Sequence, residues 1–347
     1  MKNLAILGST GSVGKSTLDV VRRNNDKFQI NLLTANKNFE ILLEQVHEFQ
    51  PKFIYLNNPD AQKSLVEAAK SFNFNTTFLT NEDELMDILS SQESEIIVAA
   101  MVGVAGLKPV HHAVKNGKQI LLANKESYVV AGEMLNNLSI ETGSTIFPID
   151  SEHSAIHQCL TGIEDKGSVS RIILTGSGGP FLDRDINDFD NITPEEATLH
   201  PVWKMGKKIS VDSSTMMNKC LEIIEARWLF NVKDIDVLIH PQGIIHSLVE
   251  FTDKSIIAQL SEPDMKIPIA YGLAFPERIT SGSSSINFDE FNNLSFRKPD
   301  FNKFPALGLA KDCIEVGGSS FAILNAANEE CVDAFLEGKI KYLDIFK

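Results

Sequence analysis

LAILGSTGSVGKSTLDVVRR, residues 4–23, sets an apolar run, a glycine-rich turn and an amphipathic segment in direct succession. Residues 4–7 read as a short strand ending at Gly8. Residues 15–23 read as a helix, with Leu18, Val20 and Val21 on its apolar face. Glycines at 8, 11 and 14 give a G-x-x-G-x-x-G spacing, not G-x-G-x-x-G. The physics is shared: small residues let the backbone approach a pyrophosphate seated on the helix N-terminus. One rival is a phosphotransferase P-loop built on Gly14-Lys15-Ser16. That pattern needs its first glycine at position 9, which is Ser9, so it fails by one residue.

Working outward, a second strand over 28–34 ends in Ala35-Asn36-Lys37-Asn38. An NAD-preferring fold offers an acid there to the ribose 2′-hydroxyl. This chain offers Lys37, which suits a 2′-phosphate, so NADP is the expected dinucleotide; the other reading is a solvated turn lysine. Helices are expected over 40–49, 60–71, 83–89 and 107–116, with another after Glu126. Strands are expected over 52–56, 95–100, 119–123 and 145–149. Such alternation predicts an α/β fold with a Rossmann-like, doubly wound parallel sheet. Ligands in such sheets collect at the carboxyl ends of strands. Two polar clusters stand there, Asn124-Lys125-Glu126 and Asp150-Ser151-Glu152.

In 347 residues there is room for two or three domains, and 43% apolar with 22% charged residues is an ordinary soluble composition. The net charge of −14 argues against nucleic acid or an anionic membrane as a partner. Any phosphate site must be a local basic pocket. Cys159, Cys220, Cys313 and Cys331 are widely spaced and form no C-x-x-C, which suggests neither a disulfide framework nor zinc. No apolar run approaches the roughly 20 residues needed to span a bilayer. The chain opens on a strand pattern, not a leader, so a cytoplasmic protein is expected.

The second chemistry-bearing stretch is residues 205–227, MGKKISVDSSTMMNKCLEIIEAR. It reads as a short strand over 208–211, a polar turn over 212–214 and then a helix. Asn218 and Glu222 share a helix face and Lys219 flanks it. Hydroxyls at a helix start favour an anion, and Glu222 offers a cation ligand. The plainer reading is a capped surface helix with a Lys219–Glu222 pair. In extended chain Asp150 and Glu152 point the same way. With Glu222 they make an all-oxygen site suited to Mg²⁺ or Mn²⁺, although two helix-start acids are the other reading. A strand over 171–174 runs into Thr175-Gly176-Ser177-Gly178-Gly179-Pro180, which can present N–H groups to an anion or be only a tight turn. Thr193 to Glu196 is a capping box with Pro194 at the first helical position. Residues 200–206, HPVWKMG, read as a lid or as a loop anchored by a buried Trp203. Alternation over 246–251 and 255–260 predicts a hairpin, so the second domain is α+β.

These residues together resemble the 1-deoxy-D-xylulose 5-phosphate reductoisomerase family. The resemblance runs through Gly8-Ser9-Thr10-Gly11-Ser12, Ala123-Asn124-Lys125-Glu126-Ser127, Asp150-Ser151-Glu152-His153, residues 175–180, residues 200–206 and residues 213–222. It continues into Glu262-Pro263-Asp264-Met265 and Ala326-Ala327-Asn328-Glu329. It implies a divalent-metal-dependent rearrangement of a sugar phosphate and its reduction by NADPH to 2-C-methyl-D-erythritol 4-phosphate, in non-mevalonate isoprenoid biosynthesis. By resemblance Asp150, Glu152 and Glu222 hold Mn²⁺ or Mg²⁺, and Lys125 and Ser151 touch the substrate beside it. Ser177, Ser213, Asn218 and Lys219 take the phosphate, with His200 close by. Trp203 covers the substrate and Met205 packs on the nicotinamide. Thr10, Gly11, Ser12, Val13, Lys37, Asn38, Asn124, Glu126 and Gly206 line the NADPH site. The implied order is an NADPH-binding domain (1–149), a catalytic domain (150–280), a linker (281–305) and a helical C-terminal segment (306–347) shorter than the family's usual one. A homodimer is the family expectation. Asn36 stands where many members carry glycine, and Gly243 where a serine near the phosphate is common. Rival readings are a sugar-phosphate dehydrogenase without rearrangement, the P-loop phosphotransferase and a non-catalytic NADP sensor. The dehydrogenase gives three carboxylates no task, and the sensor would not need a metal.

Overall fold

The computed structural model of the chain describes residues 1–69, 75–200, 206–291 and 293–347. It divides into two compact units, Met1–Ser127 with Glu133–Asp150 and Met265–Ser283, and Tyr128–Gly132 with Ser151–Asp264 and Ser284–Lys347.

The first unit begins β1 (Lys2–Leu7), α1 (Ser12–Arg23), β2 (Phe28–Ala35), α2 (Phe39–Phe49), β3 (Phe53–Leu56), α3 (Pro59–Ala69), β4 (Thr77–Leu79) and α4 (Glu82–Ser90). It continues β5 (Ile96–Ala99), α5 (Leu107–Lys115), β6 (Gln119–Leu122), α6 (Lys125–Thr142, whose Tyr128–Gly132 counts with the second unit) and β7 (Thr145–Pro148). The seven strands lie in the order β4-β3-β2-β1-β5-β6-β7, all parallel. The chain winds outward from β1, then crosses back to β5, so the order reverses between β1 and β5. That is the doubly wound arrangement expected from the alternation, and its ligand crevice lies at this reversal. β4 is an addition to the reading; three residues are too few for a period to show.

The sequence reading put residues 265–280 with the catalytic stretch, but Met265–Ser283 packs with the first unit. Its helix, α11 (Lys266–Ala274), has apolar side chains all round. Tyr271 and Phe275 pack on Phe147 with ring centroids 5.3 and 5.2 Å away. Gly272 lets the helix close in, since a Cβ there would lie 3.1 Å from Phe147 and Ile149.

The second unit carries α7 (Ser151–Cys159), β8 (Val169–Gly176), α8 (Pro194–Ala197), α9 (Lys207–Ser214), α10 (Met217–Phe230), β9 (Ile235–Ile239), β10 (Ile245–Phe251) and β11 (Ile256–Leu260). After α11 come α12 (Ala306–Val316) and α13 (Ser320–Leu336). The sheet order is β11-β10-β8-β9, with the β10–β11 hairpin antiparallel as read and β8–β9 parallel. Ile224 and Leu221 of α10 share a core with Leu307 and Phe321 of the last two helices. Val211 of α9 packs with Phe335 and Tyr342.

The strand expected over 208–211 is not formed. Those residues begin α9, and the polar turn over 212–214 is its last turn. Ile209 and Val211, two apart, mimic strand alternation. Lys208 and Asp212 reveal the helix: their ion pair at 2.8 Å spans four residues, and Asp212 also accepts from Asn328 Nδ2 at 2.9 Å.

Candidate active site

In the first unit the turn after β1 is made by backbone. Gly8 has φ +89°, and a Cβ there would sit 2.7 Å from the Ala100 carbonyl oxygen, just beyond β5. A Cβ on Gly14 would lie 2.4 Å from the Gly8 oxygen and 2.5 Å from Ser9 Cα. The first turn of α1 therefore presses directly on the glycine turn. Gly11 is its N-cap and supplies no side-chain hydrogen bond. Gly11 and Ser12 are exposed, with Thr10 and Val13 half-buried, so the first N–H groups of α1 face outward for an anion. Ser9, where a P-loop needs glycine, is buried and donates to Gln45 Oε1 at 2.7 Å. That side chain is structural, and the P-loop reading falls with it.

Lys37 is exposed just beyond β2. Asn38 caps α2, its Oδ1 accepting from Ile41 N at 3.1 Å. Asn124 is buried and donates from Nδ2 to the carbonyls of Met101 at 2.8 Å and Gly103 at 2.9 Å. Its side chain thus fixes the loop after β5. Glu126 is buried beside it, Oε2 accepting from Asn124 Nδ2 at 3.2 Å. Lys125 Nζ pairs with Asp150 Oδ2 at 2.8 Å.

In the second unit Glu152 lies in the first turn of α7, not in extended chain, so strand alternation does not set its direction. Met216 has φ +61° between α9 and α10, and this bend turns α10 so that Lys219 and Glu222 are buried. Lys219 Nζ meets Glu152 Oε1 at 2.6 Å, Glu222 Oε2 at 2.5 Å and the Thr175 carbonyl at 2.6 Å. Asn218 Nδ2 donates to Glu222 Oε1 and Ser151 Oγ donates to Glu152 Oε2. Burial pulls the Lys219 ammonium down, and Glu152 and Glu222 more than offset it, holding it above the ordinary lysine value. The surface-pair reading fails here, because Lys219 is 5% and Glu222 0% exposed.

The glycine turn after β8 lies alongside. Gly178 and Gly179 have φ +88° and +68°. A Cβ on Gly179 would lie 2.8 Å from the Ser213 carbonyl, which brings Ser177 and Ser213 into neighbouring turns. Ser177 Oγ is 3.2 Å from His200 Nε2. Burial pushes the His200 imidazole down to about 4, with Glu152 opposing and Lys219 adding to the shift. Gly206 is the N-cap of α9. Trp203 and Met205, the expected substrate cover and nicotinamide contact, lie outside the described residues.

Three buried groups were given no role by the sequence reading. His153 Nε2 is 3.0 Å from the Glu222 carbonyl and its Nδ1 is 3.6 Å from Glu225 Oε2, which ties α7 to α10. His246 Nε2 lies 3.1 Å from the Ser261 carbonyl, and burial pushes its imidazole down. His153 sits directly after Glu152 in sequence, a usable signal; Glu225 and His246 carry none.

Sequence profiles of one family cover most of the chain. The 1-deoxy-D-xylulose 5-phosphate reductoisomerase profile matches residues 4–132, and two profiles of its C-terminal domains match 146–230 and 260–347. The reductoisomerase of Haemophilus ducreyi is 48% identical over 99% of this chain and 90% of its own length. That of Clostridium perfringens is 46% identical over 99% and 90%. A reductoisomerase crystal structure in complex with NADPH, fosmidomycin and magnesium is 44% identical, with TM-score 0.95 over 99% of this chain and 87% of that one. The Zymomonas mobilis enzyme in complex with NADPH is 41% identical, with TM-score 0.91 over 99% and 88%. This chain belongs to the 1-deoxy-D-xylulose 5-phosphate reductoisomerase family.

Proposed function

We propose that this chain converts 1-deoxy-D-xylulose 5-phosphate to 2-C-methyl-D-erythritol 4-phosphate, using NADPH and Mg²⁺ or Mn²⁺, with Asp150, Glu152 and Glu222 as metal ligands. One observation carries the reading: two carboxylates, half-buried Glu152 and buried Glu222, converge on a single buried ammonium beside a glycine-rich turn that presents Ser177. An all-oxygen cation seat stands next to an anion seat. Asp150 precedes Glu152 by two residues and completes the acidic set. Carboxylate oxygens fit a hard divalent cation, which when bound polarises the substrate's carbonyl and hydroxyl oxygens; NADPH supplies the hydride.

The chain's own groups do the rest. Ser177, Ser213, Asn218 and Lys219 hold the phosphate end. His200, close by, donates or accepts a hydrogen bond there. Lys125 and Ser151 orient the reacting end. Thr10, Gly11, Ser12 and Val13 offer backbone N–H groups and a hydroxyl to the pyrophosphate. Lys37 meets the 2′-phosphate, with Asn38 beside it. Asn124 and Glu126 shape the wall of the nicotinamide end, where Met205 and Gly206 close the site and Trp203 excludes water from the substrate. The enzyme works as a homodimer in the cytoplasm; family membership supports the dimer, and four free cysteines support the compartment. No described helix is long and apolar enough to cross a membrane.

The test is loss of NADPH absorbance with 1-deoxy-D-xylulose 5-phosphate, with and without Mg²⁺, on wild type and Glu152→Gln. Metal-dependent oxidation that collapses in the variant is expected. Oxidation indifferent to both metal and Glu152→Gln would overturn the metal assignment. Light scattering on an eluting peak checks the dimer.

A further inference from the structure

Each carboxylate oxygen of Glu152 and Glu222 already has a protein donor. Lys219 takes one oxygen of each, at 2.6 and 2.5 Å. Ser151 Oγ takes the second oxygen of Glu152, and Asn218 Nδ2 the second of Glu222. Mg²⁺ needs these oxygens at about 2.0–2.1 Å in near-octahedral array. It cannot share them with an ammonium at hydrogen-bond distance, because two unscreened cations that close repel strongly. Loading the metal must therefore move Lys219, whereas the neutral donors Ser151 and Asn218 can stay on the second lone pairs of their carboxylate oxygens.

The displaced donor is Lys219, a side chain assigned above to the phosphate. We propose that Lys219 holds the cation's place until a metal binds, and that metal binding hands Lys219 over to the phosphate. This rests on the metal assignment made above. The local build allows a short transfer. A Cβ on Gly176 would lie 3.0 Å from Lys219 Cε, so this glycine leaves the lysine its path along the turn that carries Ser177. Lys219 also neutralises the pair: buried Glu222 beside half-buried Glu152 would be costly without a cation. Metal and phosphate binding are then coupled, and the coupling is reciprocal.

The test uses the full chain, Mg²⁺, and propylphosphonate, an anion with no oxygen pair able to chelate. Calorimetry on wild type should show Mg²⁺ tightening propylphosphonate about tenfold, with propylphosphonate tightening Mg²⁺ by the same factor. In Lys219→Met, Mg²⁺ should bind more tightly than in wild type, and propylphosphonate weakly and equally with or without metal. Coupling that survives in the variant would be plain attraction between Mg²⁺ and phosphonate, and would overturn the transfer. Should the variant not fold, wild type still decides. Reductive methylation of Lys219, read by mass spectrometry, should rise several-fold on adding Mg²⁺ and fall again with propylphosphonate; methylation that ignores Mg²⁺ overturns the proposal. Wild type that binds no Mg²⁺ would overturn the metal assignment and this inference together, whereas Mg²⁺ binding without coupling overturns the inference alone.

Discussion

The glycine turn after β1 and the carboxylate–lysine cluster around Lys219 are both built for charged ligands, by opposite means. The first is backbone: Gly8, Gly11 and Gly14 remove side chains, and exposed Gly11 and Ser12 present N–H groups from one continuous stretch. The second is side chain: Glu152, Lys219 and Glu222 come from two helices and satisfy one another. A backbone site is ready before its ligand arrives, whereas a side-chain site of buried charges must hold an internal substitute. Substitutions should therefore fail differently in the two places.

The largest expected effect is at Glu222. Glu222→Gln keeps shape and burial but removes one of two charges facing Lys219. Turnover should fall on the order of 1000-fold, about 4 kcal/mol, with NADPH affinity, read by fluorescence, unchanged. A variant that lost NADPH binding instead would erase the distinction between the two sites.

Gly14→Ala is the matching probe of the backbone site. Its methyl would press on the Gly8 oxygen and Ser9 Cα, both backbone and unable to yield cheaply. Destabilisation of about 3 kcal/mol is expected from such overpacking, measured by urea unfolding. Mg²⁺ affinity in calorimetry should stay as in wild type.

His200 supplies a pH test of the side-chain site. An unfolded histidine takes its proton near 6.5, whereas folded His200 resists until about 4. Between those values the unfolded chain binds more protons, so stability falls as pH drops from 6.5 to 4 and is unaffected above 6.5. Partial exposure limits the loss to about 2 kcal/mol. Urea midpoints at pH 7.5, 5 and 4 should show it, and His200→Gln should flatten that part of the profile. An unchanged profile in the variant would place the titration elsewhere, His246 being next.

Legibility in the sequence follows the same divide. The β1–turn–α1 unit could be read from spacing because all its parts are adjacent, and the parallel sheet from alternation because each strand is a short apolar run. Reading failed where three-dimensional packing decides. Residues 207–214 became a helix because Val211 docks among Phe335 and Tyr342 and Asp212 meets Asn328, partners more than 100 residues away. β9 escaped because Ile235–Ile239 pairs with β8 on one side and shows only five residues of pattern. The three carboxylates proposed as metal ligands, Asp150, Glu152 and Glu222, could be named from residue type and again from the family resemblance. That Lys219 fills the space between Glu152 and Glu222, with the Thr175 carbonyl as its third partner, needs four chain positions brought together.

Lys37 gives the smallest and sharpest prediction. It stands exposed beyond β2, and by the proposal above it would meet the 2′-phosphate that NADPH carries and NADH lacks. An exposed charge acts through screened water, so Lys37→Glu should raise the KM for NADPH about tenfold, or about 1.4 kcal/mol, and more at low salt than at high. The KM for NADH should stay level or fall, since a carboxylate there accepts from the ribose hydroxyl. Steady-state kinetics with both dinucleotides at two ionic strengths separates the cases. Equal losses with NADPH and NADH would mean that Lys37 supports the loop and does not read the phosphate. Preference would then lie with another group near the 2′ position, because the pyrophosphate that the backbone N–H groups after β1 would meet is common to both dinucleotides, and a preformed backbone site alone is indifferent between them.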